Sequence, residues 1–274
     1  MLEVTPGALE RLKTIKAFAL DMDGTVYLGL RVLPGSHDFV KLCQDNHIPF
    51  AMLTNNSSRS RKEYAKKLDT MGLHVGEEGV MTSGEATIRY LHRVHPGKKV
   101  YLVATPSYEQ EVIEGRVNLA KGRDDADLTV LSFDTTLTFQ KLVVLCDIVR
   151  DGKPYIATHP DFNCPVDGGY IPDVGSFMAL IKASTGREAD EIIGKPGKMM
   201  VAALCERWDL PAEKIAYVGD RLYTDIAMAE SSGMLGILVL SGETKLQDLE
   251  TSEHQPDLAV RGLDELVELL GAGL

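Results

Sequence analysis

Two hydrophobic rhythms alternate along this chain. Short apolar runs predict strands over Ala17–Asp21, Pro49–Asn55, Lys214–Asp220, Leu235–Leu240 and Asp257–Val260. They read as continuous runs rather than alternating ones, the pattern of strands covered on both faces of a parallel sheet. Between them, "GSHDFVKLCQDNH", "SRKEYAKKLDTMG" and "GKMMVAALCERWD" carry apolar residues at helical spacing. "LYTDIAMAESSG" closes on Gly233, a common helix stop. This alternation of strand and helix predicts an α/β fold with a mostly parallel sheet.

The middle of the chain has the same rhythm in a separate block. "KKVYLVATP", "DLTVLSFD" and "KPYIATH" predict three further strands, and "TFQKLVVLCDIVRDG" and "GSFMALIKASTG" predict helices. A Pro- and Gly-rich loop, "HPDFNCPVDGGYIPDVGS", precedes the last of these. The block is expected to form an inserted smaller domain over residues 84–183, with 1–83 and 184–274 forming the core domain.

Polar groups gather where the core strands end. The first strand closes on Asp21-Met22-Asp23, the second on Thr54-Asn55-Asn56-Ser57, and the third on Gly219-Asp220 with Asp225 following in the next turn. Open parallel sheets bind ligands just beyond the carboxyl ends of their strands. Three strands are therefore expected to deliver polar groups to one crevice. Asp21, Asp23, Asp220 and Asp225 would concentrate negative charge there, unfavourable without a cation among them. An all-oxygen donor set suits a hard cation, and Mg²⁺ takes one or two carboxylates, waters and a substrate phosphate. Thr54 and Asn55 offer a hydroxyl, an amide and backbone N–H groups to phosphate oxygens. Lys195, in "IIGKPGK" just ahead of a predicted helix, adds a cation and a helix N-terminus. Each piece also has a plain structural role: a turn for the aspartates, a helix cap for Thr54–Ser57, an exposed lysine for Lys195. Their coincidence at three strand ends is what points to chemistry.

Composition narrows the picture. A net charge of −11 over 274 residues disfavours a nucleic-acid polymer held by general electrostatics. No apolar run is long enough for a membrane span, and the N-terminus lacks the features of a signal peptide. Cys43, Cys146, Cys164 and Cys205 form no CxxC pair and read as reduced thiols of a cytoplasmic protein. "DMDGTV" is no EF-hand, because its glycine falls at loop position four rather than six. "GKP" lacks the Walker A spacing, and the histidines make no HExxH cluster.

"DMDGT", "LTNNSS", "GKP" and "GDRLYTDI" resemble, in order, the four signature motifs of the haloacid-dehalogenase superfamily of phosphatases. The long insert between the second and third motifs is similar to the cap of the NagD-like, or 4-nitrophenylphosphatase, subgroup. The resemblance implies a Rossmann-like, doubly wound core with an inserted α/β cap, acting as a Mg²⁺-dependent phosphomonoesterase. By the same resemblance Asp21 is the nucleophile that forms an aspartyl-phosphate, and Asp23 the general acid and then base. Gly24 lets the chain turn away from the strand, and Thr25 helps to fix that turn. Mg²⁺ would be held by the Asp21 carboxylate, the Asp23 carbonyl and Asp220, with Asp225 orienting the metal shell. Thr54, Asn55, Asn56 and Lys195 would bind the phosphoryl group.

The resemblance also implies that the cap loop reads the leaving group, with His159, Asp161, Asn163 and Cys164 as its contacts. Some relatives that hydrolyse pyridoxal phosphate carry histidine where this chain has Cys164, which weighs against a vitamin B6 phosphate. Nucleoside monophosphates, sugar phosphates, phosphoglycolate and 4-nitrophenyl phosphate stay open as substrates. So do a phosphotransferase or phosphomutase and a catalytically silent phosphoryl-ligand regulator. The expected partner is a small phosphorylated metabolite, with no nucleic acid and no membrane. Caps of this kind often dimerise, so a homodimer through the cap is expected by resemblance alone.

Overall fold

The structure, a computed structural model, describes residues 2–166 and 168–271. The chain divides into two compact units: Met1–Thr54, Lys62–Met81 and Leu204–Leu274 form the first, and Asn55–Arg61 with Thr82–Ala203 form the second. This grouping carries Asn55–Arg61 and residues 184–203 with the second unit, whereas the hydrophobic pattern assigned them to the first.

A seven-stranded sheet organises the first unit, in the order Leu2–Glu3, Leu258–Val260, Leu235–Val239, Ile215–Gly219, Ala17–Asp21, Phe50–Thr54, Val80–Thr82. The five from Leu258–Val260 to Phe50–Thr54 pair in parallel, and Leu2–Glu3 joins the edge antiparallel. Ile215–Gly219 and Leu235–Val239 are buried at every position, as their unbroken apolar runs require. From Ala17–Asp21 the chain moves to Phe50–Thr54 on one side and later returns through Ile215–Gly219 on the other. The carboxyl ends of these three neighbours are thus the switch point of the sheet. Pairing of Asp21 with Leu53, and of Leu20 with Val218, sets Asp21, Thr54 and the residue after Gly219 at one edge.

Helix Ser36–Asp45 covers one face of this sheet and packs against helix Leu263–Gly271. Its Phe39 meets Phe18 edge-on, with centroids 5.5 Å apart, inside the core that also holds Leu20, Val218 and Ile237. Truncating such a buried ring costs about 3–5 kcal/mol. The Leu222–Ser232 segment differs from the simple helix expected: Leu222–Ile226 forms a widened π-type turn before Ala227–Ser232 continues as an α-helix. Gly233, at φ 79°, ends it as expected.

The second unit has its own parallel sheet of five strands, ordered Glu191–Ile192, Tyr155–Ala157, Leu128–Leu131, Lys99–Val103, Asn118–Leu119. Its helices start where side chains satisfy their first N–H groups. Thr105 caps Pro106–Glu114, Thr138 caps Phe139–Arg150, and Asp173 caps Val174–Thr185. The Pro/Gly-rich loop contains a two-stranded antiparallel ribbon, Asn163–Val166 with Gly169–Pro172. Its residues are mostly exposed, so no burial pattern marked it as strand.

Candidate active site

In the first unit, carboxylate oxygens of Asp21, Asp220 and Asp225 all lie within 4.8 Å of one another. Asp220 and Asp225 are buried, and Asp21 is half-buried at the mouth of its strand. Asp23 is exposed and lies outside this three-carboxylate group. It sits on a turn built by the backbone: Gly24 N–H donates to the Tyr27 carbonyl at 2.8 Å and Val26 N–H to the Met22 carbonyl at 2.9 Å. The Thr25 hydroxyl, buried and without a hydrogen bond among the described residues, does not fix the turn as expected. Gly24 adopts φ +90°, and a Cβ built on it would fall inside the Asp220 carboxylate. Both the left-handed backbone and the close approach require glycine.

Asp225 returns to the cluster through the π-type turn, where its N–H donates to the Arg221 carbonyl at 3.1 Å. Its two oxygens accept from the Tyr217 hydroxyl and the Arg221 N–H, each at 3.2 Å. Gly219 makes room for it, since a Cβ there would lie 2.5 Å from that of Asp225. Arg221 faces the cluster and forms an ion pair with Glu243 at 3.0 Å. Burial opposes the guanidinium charge, but Tyr223, Asp21, Asp220 and Glu243 outweigh it and hold Arg221 firmly protonated. Thr54 stands half-buried at the end of the strand beside Asp21.

Asn55, Asn56 and Lys195 belong to the second unit. Asn55 and Lys195 are buried and clasp each other through the backbone. Asn55 Oδ1 accepts the Lys195 N–H at 2.8 Å, while Asn55 Nδ2 donates to the Lys195 carbonyl at 3.0 Å and to Asp161 Oδ2 at 3.1 Å. Gly194 permits this, because a Cβ there would sit 2.6 Å from Asn55 Oδ1. Asn56 Oδ1 accepts from the N–H and hydroxyl of Ser58, a local turn, and its amide points to Cys164 Sγ at 3.8 Å. His159 is fully buried, its two ring nitrogens each 3.4 Å from a carboxylate, Asp161 on one side and Asp173 on the other. That spacing has ion-pair reach without hydrogen-bond alignment. Burial alone would raise Asp161, but His159, Asn55 and Lys195 hold it below the usual carboxylate range. Burial pushes Asp173 up to about 6, with His159 only partly offsetting it.

The expected residues thus fall into two groups: Asp21, Asp220 and Asp225 with Thr54 at the neighbouring strand end, and Asn55 with Lys195 and Asp161. The pattern of strand ends did not single out Arg221, Tyr217 or the Ser241–Thr244 segment. The last follows the buried Leu235–Val239 strand, so the rule that found Asp21 and Asp220 also pointed there. All four cysteines are free, and no helix is long and apolar enough to cross a membrane among the described residues.

The sequence profile of the haloacid dehalogenase-like hydrolases matches residues 18–116, and a second profile, HAD-hydrolase-like, matches residues 192–266. Among solved structures, the 4-nitrophenylphosphatase of Thermotoga maritima is 42% identical with a TM-score of 0.88, over 94% of this chain and 98% of that one. NagD from E. coli is 27% identical with a TM-score of 0.85, over 92% of this chain and 98% of its own. An acid sugar phosphatase of Staphylococcus aureus (strain MRSA252) is 30% identical over 93% of this chain and 98% of its own length. The 5'-nucleotidase YutF of Bacillus subtilis is also 30% identical, over 93% and 99%.

Proposed function

Because the chain belongs to the haloacid dehalogenase-like hydrolases, and within them to the NagD-like phosphatases, we propose that it hydrolyses small phosphate monoesters with Mg²⁺ and Asp21 as nucleophile. The observation that carries this reading is the convergence of Asp21, Asp220 and Asp225 at the switch point. Three carboxylates so close repel one another, and a hard divalent cation with oxygen ligands fits that donor set. Asp21, Asp220 and the Asp23 carbonyl would hold it. Asp225, whose oxygens both accept hydrogen bonds from protein groups, would orient its surroundings. When bound, Mg²⁺ supplies positive charge that offsets the phosphoryl oxygens and the nucleophile.

A carboxylate oxygen of Asp21 attacks phosphorus in line, forming an O–P bond as the ester P–O bond breaks. The departing alkoxide takes a proton from Asp23. Asp23, then ionised, takes a proton from water as its oxygen attacks the aspartyl-phosphate, releasing phosphate and restoring Asp21. The exposure of Asp23, on a turn held by backbone hydrogen bonds, suits a group that must exchange protons with both leaving group and water. Thr54, Asn55, Asn56 and Lys195 are assigned to the phosphoryl group, Lys195 offsetting charge that grows as the bond order shifts.

The second unit is assigned to reading the leaving group through the Asn163–Pro172 ribbon and its flanks. Sugar phosphates, nucleoside monophosphates and aryl phosphates are the proposed substrates, the classes named for the relatives. A cytoplasmic location and a homodimer through residues 84–183 belong to the same reading. The test is a panel of phosphate monoesters assayed with Mg²⁺ and again with chelator. Phosphate release that chelator abolishes supports the reading; release unaffected by chelator, or none from any ester, refutes it.

A further inference from the structure

Asp220 is gripped by a segment that none of the signature motifs contains. Beyond the Leu235–Val239 strand, the Glu243 N–H donates to Asp220 Oδ2 at 2.7 Å and the Thr244 N–H to the Asp220 carbonyl at 3.2 Å. One residue earlier, Gly242 passes so close that a Cβ built on it would overlap the Asp220 carboxylate and lie 2.6 Å from the Asp220 Cβ. Gly24, on the turn after Asp23, meets the same carboxylate in the same way. The Ser241 hydroxyl then donates to the Gly24 carbonyl at 2.8 Å, tying the two glycine backbones together around Asp220. Asp220 and Thr244 are buried, Ser241 and Gly242 are half-buried, and Glu243 is exposed, so its backbone rather than its side chain lies against Asp220. Each contact is made by a backbone N–H, a missing side chain or one hydroxyl.

Resting on the reading of Asp220 as a cation ligand, we propose that Ser241, Gly242 and Glu243 are positioning residues that set the Asp220 carboxylate for the metal. An N–H donor on Oδ2 fixes the rotation of the carboxylate about its Cβ–Cγ bond, and the two glycines fix its lateral place. Such outer contacts on a ligating carboxylate set the affinity of a metal site as well as its geometry. The Ser241 bond extends this control to the Gly24 turn, and so to the neighbouring Asp23 carbonyl. Glu243 has a second duty: its carboxylate pairs with Arg221 and accepts from the Tyr223 hydroxyl at 3.0 Å. That ion pair and hydrogen bond tie the Glu243 side chain to the Leu222–Ile226 turn and its flank, so the segment that carries the Asp220 contact is anchored at both its backbone and its side chain.

The test is direct metal binding by the full chain, with free Mn²⁺ counted by electron paramagnetic resonance as the probe for Mg²⁺. Gly242→Ala is expected to weaken Mn²⁺ binding by about tenfold or more. Ser241→Ala is expected to weaken it by about fivefold, the loss of one hydrogen bond, and Ser241→Thr, which keeps the hydroxyl, to restore it. Circular dichroism of the metal-free proteins shows whether each variant folds; should Gly242→Ala not fold, the Ser241 pair decides. Wild-type affinity in Gly242→Ala, or in Ser241→Ala when Gly242→Ala is unfolded, overturns the proposal. A wild type that binds no Mn²⁺, or an Asp220→Asn variant that binds as tightly as wild type, overturns instead the reading of Asp220 on which the proposal rests.

Discussion

Asn55 and Lys195 stand 140 positions apart in the chain, yet the amide of one spans the backbone N–H and carbonyl of the other, at 2.8 and 3.0 Å. The main chain of Lys195 is thereby fixed by a side chain, and Asp161 braces that side chain from behind. Asn55 therefore has a task besides the phosphate contact proposed for it: it sets where the Lys195 side chain begins. Asn55→Ala deletes the amide and leaves a buried carbonyl and N–H to find new partners, a penalty of about 1–3 kcal/mol. If that penalty falls on the transition state, kcat/KM drops by about 10- to 100-fold. Asn55→Asp replaces the donor with an oxygen facing Asp161 and the Lys195 carbonyl, and is expected to do worse. Steady-state kinetics of both variants check this; equal rates for Asn55→Asp and wild type would contradict it.

Asp21→Asn keeps the size of the side chain and its place at the strand end but removes the carboxylate proposed as the nucleophile. Turnover is expected to vanish in assays of phosphate release, with circular dichroism unchanged. An amide at this position also withdraws one of the three converging carboxylates, so Mn²⁺ binding should weaken in the same variant. Phosphate release near the wild-type rate would mean that another group attacks phosphorus.

What could be read ahead of the structure, and what could not, follows from which atoms carry each role. Asp21, Asp220 and Asp225 announce themselves because their side chains are chemically unusual at the ends of apolar runs. The central strands were found to within a residue or so, since burial on both faces leaves an unbroken run. Leu2–Glu3 and Val80–Thr82 were missed because two or three residues show no period. The Asn163–Pro172 ribbon was missed because its faces are not sorted by burial. Gly242 was missed for a different reason: its contribution is the absence of a side chain beside a residue distant in sequence. The strand-end rule points to its segment, but nothing in a single chain says that a glycine there meets the Asp220 side chain.

Mg²⁺ should stabilise the folded chain if the three carboxylates hold it, because a ligand bound only by the native state adds RT ln(1 + [L]/Kd). At a hundredfold excess over Kd this amounts to about 2.7 kcal/mol. Relief of mutual repulsion among Asp21, Asp220 and Asp225 is the physical source of the gain. A thermal-shift titration is expected to show the midpoint rising with Mg²⁺ and returning with chelator. Asp220→Asn should flatten the response, and an undiminished shift in that variant would place the ion elsewhere.

Asp173 ties stability to pH in a direction opposite to that of most carboxylates. Burial raises it from an ordinary 3.8 to about 6, so between those values the folded chain holds a proton that the unfolded chain releases. Its contribution to stability is therefore complete below about pH 4 and is lost as pH rises through about 6. The groups facing it are the His159 ring, which eases ionisation, and Asp161, which opposes it. Asp173→Asn removes the charge and keeps an oxygen to cap the Val174 N–H, now held at 2.7 Å. Urea unfolding of both proteins from about pH 4 to about pH 8 should show the variant gaining on the wild type as pH rises. The gain is bounded at about 3 kcal/mol by the size of the pKa displacement. A stability difference that stays constant across this range would show that Asp173 is ionised throughout, with His159 as its full counter-charge.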